Sequence, residues 1–144
     1  MAEQSQTERS GSGALQCVVV TPETTLLDET ASFVAVPLFD GELGIAPGHT
    51  PMLGRLGYGQ LRIRQDAGEQ AFYVDGGFVE VVNNSISVLT NRAVPASDLD
   101  VEVAEEQLAA ARARTANSPE LLDIRAKLEL QARAQLRIAK KHEA

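Results

Sequence analysis

The chain has 144 residues, of which 44% are hydrophobic and 4% aromatic, and its formal net charge is −7. This length and apolar content are typical of one globular domain, or of a small domain with an appendage, and they exclude a disordered chain. The acidic balance disfavours nucleic acid as a partner, and the lack of tryptophan disfavours a surface on which sugars or bases stack.

The first segment of the chain, MAEQSQTERSGSG, is polar and has no apolar core. It differs from a secretory signal for that reason, and Glu3 and Glu8 make it unlike an organelle transit peptide. We interpret residues 1–13 as a flexible polar tail. The sequence also lacks the run of roughly 18 apolar residues that a membrane span requires, so we expect no direct membrane insertion.

Residues 14–96 have the pattern of a β-sandwich domain. In QLRIR, the apolar Leu61 and Ile63 alternate with two arginines, which predicts a half-buried strand. No helix-length segment separates the strand-like runs, and this disfavours a parallel βαβ sheet. The predicted strands are LQCVVV (15–20), SFVAVPL (32–38), QLRIR (60–64), QAFYVD (70–75), FVEVV (78–82) and SISVLT (85–90).

Turn-forming residues lie between these runs, at intervals typical of a sandwich or barrel. Glycine, asparagine and aspartate tolerate the positive φ angles of tight hairpins. We therefore predict a turn at each of Asp40-Gly41, Asp66-Ala67-Gly68, Asp75-Gly76-Gly77 and Asn83-Asn84.

The stretch GELGIAPGHTPML, residues 41–53, concentrates glycine and proline around His49. Residues 41–45 predict a short strand, and Pro47-Gly48 predicts a turn. Pro51 restricts the backbone of the residue before it to an extended conformation. The stretch is therefore predicted to be a rigid corner of the sandwich, of the kind that often presents a binding surface.

Residues 97–144 are rich in Ala, Glu, Leu, Arg and Gln and predict an antiparallel helical hairpin. Ser97 is the predicted N-cap of the first helix, which ends near Arg114. Ser118 is the predicted N-cap of the second helix, which runs from Pro119 to about Lys141.

The apolar stripes of the two helices are narrow and contain much alanine. Because alanine buries little area, the hairpin gains little hydrophobic free energy from them. The sequence leaves open whether the hairpin attaches loosely or packs firmly on the sheet. The first stripe is Val101, Ala104, Leu108 and Ala111, and the second is Leu121, Ile124, Leu128, Ala132, Gln135 and Ala139, with Leu136 at its margin.

Residues able to carry catalysis are few. The sequence has no phosphate-binding glycine loop, no GxSxG elbow and no HExxH motif. Its single cysteine, Cys17, lies in an apolar run and is predicted to be a buried core residue. One cysteine with His49 would leave a zinc ion under-liganded, so we expect no metal site and no catalytic residue. The alternative is a small hydrolase or ligand-binding sandwich that uses His49.

Three stretches together identify a family resemblance: GELGIAPGHTPML, LGYGQLRIR (56–64) and YVDGGFVEVVNNSISVLTNRAVPASDLD (73–100). Followed by a helical hairpin, they resemble the epsilon subunit of the F-type ATP synthase over about residues 15–144. The resemblance implies a β-sandwich of about ten strands and two C-terminal helices. It also implies a non-catalytic rotor subunit of the central stalk that couples proton flow to ATP synthesis without a cofactor.

The resemblance further implies partners and a location. The sandwich would bind the gamma subunit and the polar loops of the c-ring, on the cytoplasmic face of an inner membrane. The lack of a transit peptide favours a bacterial protein, with a plastid-encoded one as the alternative. Glu42 and His49 match positions that face the c-ring in the family. The residues that match the shape of this interface are Gly44, Pro47, Gly48 and Pro51.

Arg133, Arg137 and Lys141 recur every four residues and form a basic ridge on the second helix. The pattern alone fits a solvated face or a docking strip for an acidic surface. The resemblance favours docking, because the extended hairpin in the family contacts acidic segments of the alpha and beta subunits and inhibits ATP hydrolysis.

Some relatives in the family bind ATP on the hairpin through an [IL]-D-x-x-R-A motif. Here Asp123 and Arg125 lie in LDIRA, which is one residue shorter. The missing residue rotates Arg125 by about 100° relative to Asp123, so we do not expect nucleotide binding by this pair.

Overall fold

The computed structural model of the chain describes residues 14–143, so the predicted polar tail, residues 1–13, lies outside the described residues. Within them a β-sandwich is followed by a helical hairpin, as the sequence predicts. The strands are β1 Leu15–Val20, β2 Thr25–Ala31, β3 Phe33–Leu38, β4 Gly41–Ile45, β5 Met52–Gln65, β6 Gly68–Val82, β7 Ser85–Leu89 and β8 Ala93–Pro95. A 3₁₀ turn at Ala96–Asp98 leads into α1 Val101–Ala113 and α2 Pro119–Glu143.

The strands follow the order β2-β1-β7-β6-β5-β3-β4, and β8 pairs with β6. The β1–β7 pair is parallel, and the other described pairs are antiparallel. The alternation predicted for QLRIR is confirmed, because Leu61 and Ile63 are fully buried in the core. Cys17 is also fully buried, as predicted. The remaining core consists mainly of valine, isoleucine and leucine side chains from seven strands, β1 to β7.

The turn predicted at Asp75-Gly76-Gly77 is wrong. These residues lie inside β6, which pairs with β5 on both sides of them, at Tyr58↔Asp75 and at Leu56↔Gly77. Gly76 and Gly77 do adopt positive φ, +74° and +112°, but they bend a continuous strand instead of reversing it. The runs 70–75 and 78–82 are therefore one strand, and the described residues contain eight strands where the resemblance implies about ten.

Other turn predictions are confirmed. Asn83 and Asn84 both have positive φ and connect paired residues Val82 and Ser85 in a two-residue hairpin. Two strands were not predicted, β2 and β8. In β2 only Leu27 and Ala31 are buried, so its sequence carries no alternating pattern. A strand at the edge of the sheet needs fewer apolar residues, which explains why propensity missed it.

The start of α1 differs from the prediction. Ser97 belongs to the 3₁₀ turn, and the N-cap is Asp100, whose Oδ1 accepts the backbone N–H groups of Glu102 and Val103 at 2.8 and 3.2 Å. The start of α2 agrees with the prediction, since Ser118 Oγ accepts the Leu121 N–H at 3.2 Å.

The hairpin is docked on the sandwich. In α2, the predicted stripe is confirmed at Ala132, Gln135 and Ala139, but Ile124 is 43% exposed, contrary to prediction. Ala134 and Ile138 are buried instead, in a cluster with sheet residues. The C-terminal half of α2 thus has two buried faces, one toward α1 and one toward the sheet, and a single-stripe pattern predicts only one of them.

Candidate functional site

The rigid corner after β4 is built on a β-turn of Ala46-Pro47-Gly48-His49. The His49 N–H donates to the Ala46 carbonyl at 3.2 Å, and Gly48 has φ +86°. Proline at the second position and a glycine of positive φ at the third are the requirements of a type II turn. The turn predicted at Pro47-Gly48 is confirmed.

Two contacts fix this corner to the rest of the sandwich. The Gly48 N–H donates to Asn84 Oδ1 at 2.7 Å, which ties the corner to the hairpin between β6 and β7. Further back, a Cβ on Gly44 would lie 2.7 Å from Phe33 Cζ. The ring of Phe33, under the guanidinium of Arg64 at 5.1 Å, therefore packs on the backbone of β4 at Gly44, and a larger residue there would displace the ring.

The side chains expected to face a partner at this corner have separate interactions. Glu42 is exposed on β4 and pairs with Arg62 at 3.3 Å, and Arg62 also contacts Glu69 at 3.3 Å. His49 is half-buried, with Nδ1 2.8 Å from the Thr50 carbonyl. Because a carbonyl only accepts, Nδ1 is the donor in this contact. Pro51, the last residue of this set, is exposed.

Within residues 14–143, the hydrogen bonds described for His49 do not include the partners of a catalytic histidine. Its hydrogen bonds are to backbone groups, whereas a catalytic histidine needs a nucleophile and an orienting carboxylate. Burial raises the pKa of the Cys17 thiol to about 12, assisted by the charges of Glu29 and Asp28. Among residues 14–143 there is no cluster of three His, Cys, Asp or Glu residues able to hold a metal ion.

A second candidate surface, which the sequence reasoning missed, lies on the outer side of β5, β6 and β7 and on the turn between β3 and β4. We define the apolar face as Phe39, Leu53, Phe78 and Leu89, which are 71%, 71%, 54% and 50% exposed. Phe78 lies between Arg55 on β5 and Leu89 on β7. The Arg55 guanidinium lies 4.8 Å over the Phe39 ring and Arg55 pairs across the sheet with Phe78, so both aromatic side chains lie beside this arginine.

The alternation of FVEVV contained the signal for this face. Val79 and Val81 are buried, so the same period places Phe78 on the opposite, outer side. A groove of about 600 Å³ beside Phe78 extends the apolar face toward Val20 and Pro22.

The basic ridge on α2 is exposed at Arg133, Arg137 and Lys141. Arg133 approaches Glu129 at 3.9 Å, a surface pair of little energetic weight. Arg133 and Arg137 also line a cleft of about 420 Å³ between α2 and the sheet, which includes Phe39 and Arg55. The ridge and the apolar face are therefore adjacent when the hairpin is docked.

Asp123 and Arg125, the pair considered for nucleotide binding, do not contact each other in the described hydrogen bonds and ion pairs. Asp123 is exposed, and Arg125 pairs with Glu129 at 3.7 Å along α2. A cavity of about 540 Å³ where the two helices meet Arg92 is lined by other polar residues, chiefly Gln107, Arg114, Gln131 and Gln135. Within residues 14–143, the helices all fall short of the length and apolar character needed to cross a membrane.

Residues 14–96 match the family model described as the beta-sandwich domain of the ATP synthase delta/epsilon chain. The ATP synthase epsilon chain of Rhodopirellula baltica is 46% identical over 127 residues, which covers 88% of this chain and 99% of that protein. The epsilon chain of Lawsonia intracellularis is 36% identical over 107 residues, covering 74% of this chain and 80% of that one.

Solved structures share the fold. A chain in the cryo-EM structure of the Euglena gracilis mitochondrial ATP synthase, covering OSCP, F1 and the c-ring, superimposes with a TM-score of 0.70 at 22% identity, over 90% of this chain and 79% of that one. A chain in the Tetrahymena thermophila mitochondrial ATP synthase central stalk and c-ring also gives 0.70, at 15% identity, over 87% and 96%.

Proposed function

This chain belongs to the delta/epsilon family of ATP synthase subunits, and from that membership we propose that it is the epsilon-type rotor subunit of an F-type ATP synthase. The family resemblance read from the three sequence stretches is thereby confirmed. Its relatives are non-catalytic parts of an enzyme complex, and the chain is accordingly a component of such a complex without a catalytic site of its own.

The observation that carries the proposal is the apolar face. Two phenylalanines and two leucines are each at least half exposed on the outer side of the sandwich, with Phe78 between Arg55 and Leu89 and the Phe39 ring under Arg55. Soluble proteins rarely leave such a surface uncovered, because each apolar side chain gains free energy when a partner removes it from water. The gamma subunit is the partner we assign to this face.

The corner at residues 41–51 is the surface we assign to the polar loops of the c-ring. It is supported by its rigidity, since the type II turn and the Gly48–Asn84 hydrogen bond fix the backbone before any partner arrives. It presents Glu42, which pairs with Arg62, and His49, which contacts the Thr50 carbonyl, at the surface. A pre-organised polar surface loses little conformational entropy on binding.

The hairpin is the proposed regulator of ATP hydrolysis. When it leaves the sheet, Arg133, Arg137 and Lys141 would contact acidic segments of the alpha and beta subunits. All three side chains are exposed, and their spacing of four residues places them on one side of α2, which supports this role. The proposed location is the cytoplasmic face of a bacterial inner membrane, held there by partner subunits.

The test is ATP hydrolysis by a reconstituted catalytic head of alpha, beta and gamma subunits. We expect the full chain to inhibit hydrolysis, and a chain truncated after Ala96 to bind gamma without inhibiting. A full-length Arg133→Glu/Arg137→Glu variant should also lose inhibition, whereas Lys127→Glu, an exposed charge reversal on the same helix, should retain it. Equal inhibition by the truncated and full chains would refute the regulatory role, and failure of both to bind gamma would refute the rotor assignment.

A further inference from the structure

One carboxylate connects the sheet to the docked hairpin. Asp75, at the bend of β6, has a side chain that is only 14% exposed. Its Oδ1 accepts a hydrogen bond from Gln131 Nε2 on α2 at 2.8 Å and another from the Tyr73 hydroxyl at 3.1 Å. Its Oδ2 lies 3.9 Å from Arg92 Nε on the sheet side. Gln131 is therefore the hairpin's direct bond to this carboxylate.

A second glutamine of α2 extends the same network. Gln135 is 8% exposed, one of two buried polar residues in the described chain, and its side chain lies close enough to the Tyr73 hydroxyl to act against the burial that raises the pKa of Tyr73. Tyr73 is itself fully buried, and the Arg92 guanidinium lies 5.6 Å from its ring centroid. Gln131 and Gln135 are one helical turn apart, so both amides of α2 meet the sheet at Tyr73 and Asp75.

The apolar part of this interface is small. The side chains that α2 buries against the sheet cluster are Ala134 and Ile138, and alanine contributes little area. A hydrogen bond to a charged, desolvated carboxylate is stronger than one between neutral groups. We therefore expect loss of the Asp75 carboxylate to change the ratio of docked to released hairpin more than loss of any single apolar contact.

We propose that Asp75 is an electrostatic latch, which holds the hairpin on the sandwich through Gln131 and sets the fraction of molecules in the docked state. The consequence for ATP hydrolysis rests on the proposed function, but the latch itself does not. When the hairpin leaves, Asp75 exchanges Gln131 for water and becomes hydrated while Tyr73 and Ala96 lose their cover. A change of charge at position 131 should thus shift docking in a direction set by its sign.

The chain supplies its own reporter of docking. It contains two tyrosines and no tryptophan. Both Tyr58 and Tyr73 belong to the cluster between α2 and the sheet. Quenching of tyrosine fluorescence by acrylamide therefore measures how often this interface opens in the isolated full chain. Hydrogen exchange of the α2 amides gives an independent measure, and far-UV circular dichroism checks that the helices persist.

The experiment uses two opposite substitutions at one position. Gln131→Glu sets a second carboxylate against Asp75 and should shift the docked-to-released ratio by about tenfold toward release, seen as stronger quenching. Gln131→Lys should shift the ratio toward docking by a similar factor. In an Asp75→Asn background both effects should largely vanish, since a double-mutant cycle isolates the pair.

Asp28→Asn is the matched control. Asp28 also accepts a hydrogen bond from a glutamine, Gln16, but both side chains are exposed and lie on β1 and β2, away from the hairpin. It should leave quenching unchanged. The latch is overturned if Gln131→Glu and Gln131→Lys shift docking in the same direction, if neither shifts it, or if their effects survive in Asp75→Asn. If docking shifts as expected but inhibition of ATP hydrolysis does not follow it, the latch stands and the regulatory part of the proposed function fails.

Discussion

At the scale of single residues, Gly77 determines how β6 continues. Its φ of +112° is rarely adopted by other residues, and a Cβ at this position would overlap the backbone carbonyl oxygen of Leu89. The close approach of β6 and β7 is therefore possible only with glycine at the bend. The same bend presents Asp75 to the hairpin and Phe78 to the apolar face.

We expect Gly77→Ala to lower the free energy of unfolding by about 3 kcal/mol or more, because it adds a backbone clash to the strain of positive φ. Gly41→Ala is the matched control. Gly41 has φ +142° with no atom within 4 Å of the added Cβ, so it should show strain alone, about 1–2 kcal/mol. Urea denaturation measures both, and equal losses would contradict the clash.

At the scale of elements, the sequence before α1 contains three residues that could each act as the N-cap, and the structure uses one of them, Asp100. Ser97, Asp98 and Asp100 all have suitable side chains. Leu99 is extended at φ −81° and ψ 142°, which separates the 3₁₀ turn from the helix. Because β8 and the 3₁₀ turn are fixed to the sheet at Ala96, the helix can begin only after the chain has turned away.

Asp100→Ala should therefore destabilise α1 by about 1 kcal/mol, since the N–H groups of Glu102 and Val103 lose their acceptor. The loss should appear as reduced helical circular dichroism at 222 nm and as a lower urea midpoint. Ser97→Ala, at the N-cap that the sequence predicted, should leave both measurements unchanged. A larger effect from Ser97→Ala would contradict the cap seen in the structure.

At the scale of the whole molecule, the sandwich and hairpin create surfaces that neither has alone. The cleft between them brings Arg133 and Arg137 of α2 beside Arg55 and Phe39 of the sheet. Release of the hairpin would carry Arg133 and Arg137 away from Arg55 and Phe39, and the apolar face would remain on the sandwich. The proposed gamma contact and the proposed regulatory contact are thus adjacent in the docked state.

Phe78→Lys should weaken binding of the full chain to isolated gamma by about tenfold or more, because it replaces an exposed ring of the apolar face with a second charge beside Arg55. Its fold should persist, since the ring is 54% exposed. Leu26→Lys is the control, because Leu26 is 44% exposed on β2 and lies outside the apolar face. Calorimetric titration measures both variants, and an equal loss of affinity would contradict the assignment of gamma to this face.

The sequence by itself determined the fold class and most strands, because alternating apolar residues such as Leu61 and Ile63 have one face to bury wherever their strand pairs. It also determined the turn at Pro47-Gly48 and the cap at Ser118, since both depend on neighbours within a few residues. The family resemblance came from the same local stretches. The assignments of Glu42, His49 and the basic ridge to particular partners remain predictions.

Only the tertiary structure decided which turn signals reverse the chain and which merely bend it. Gly76-Gly77 carries the same local signal as a hairpin turn, and pairing with β5 on both sides makes it part of a strand. Tertiary packing also gave α2 its second buried face at Ala134 and Ile138, and it brought Asp75 to Gln131 across 56 residues of sequence. Such contacts depend on how separate elements are placed in space, and the periodicity of a local sequence does not specify that placement.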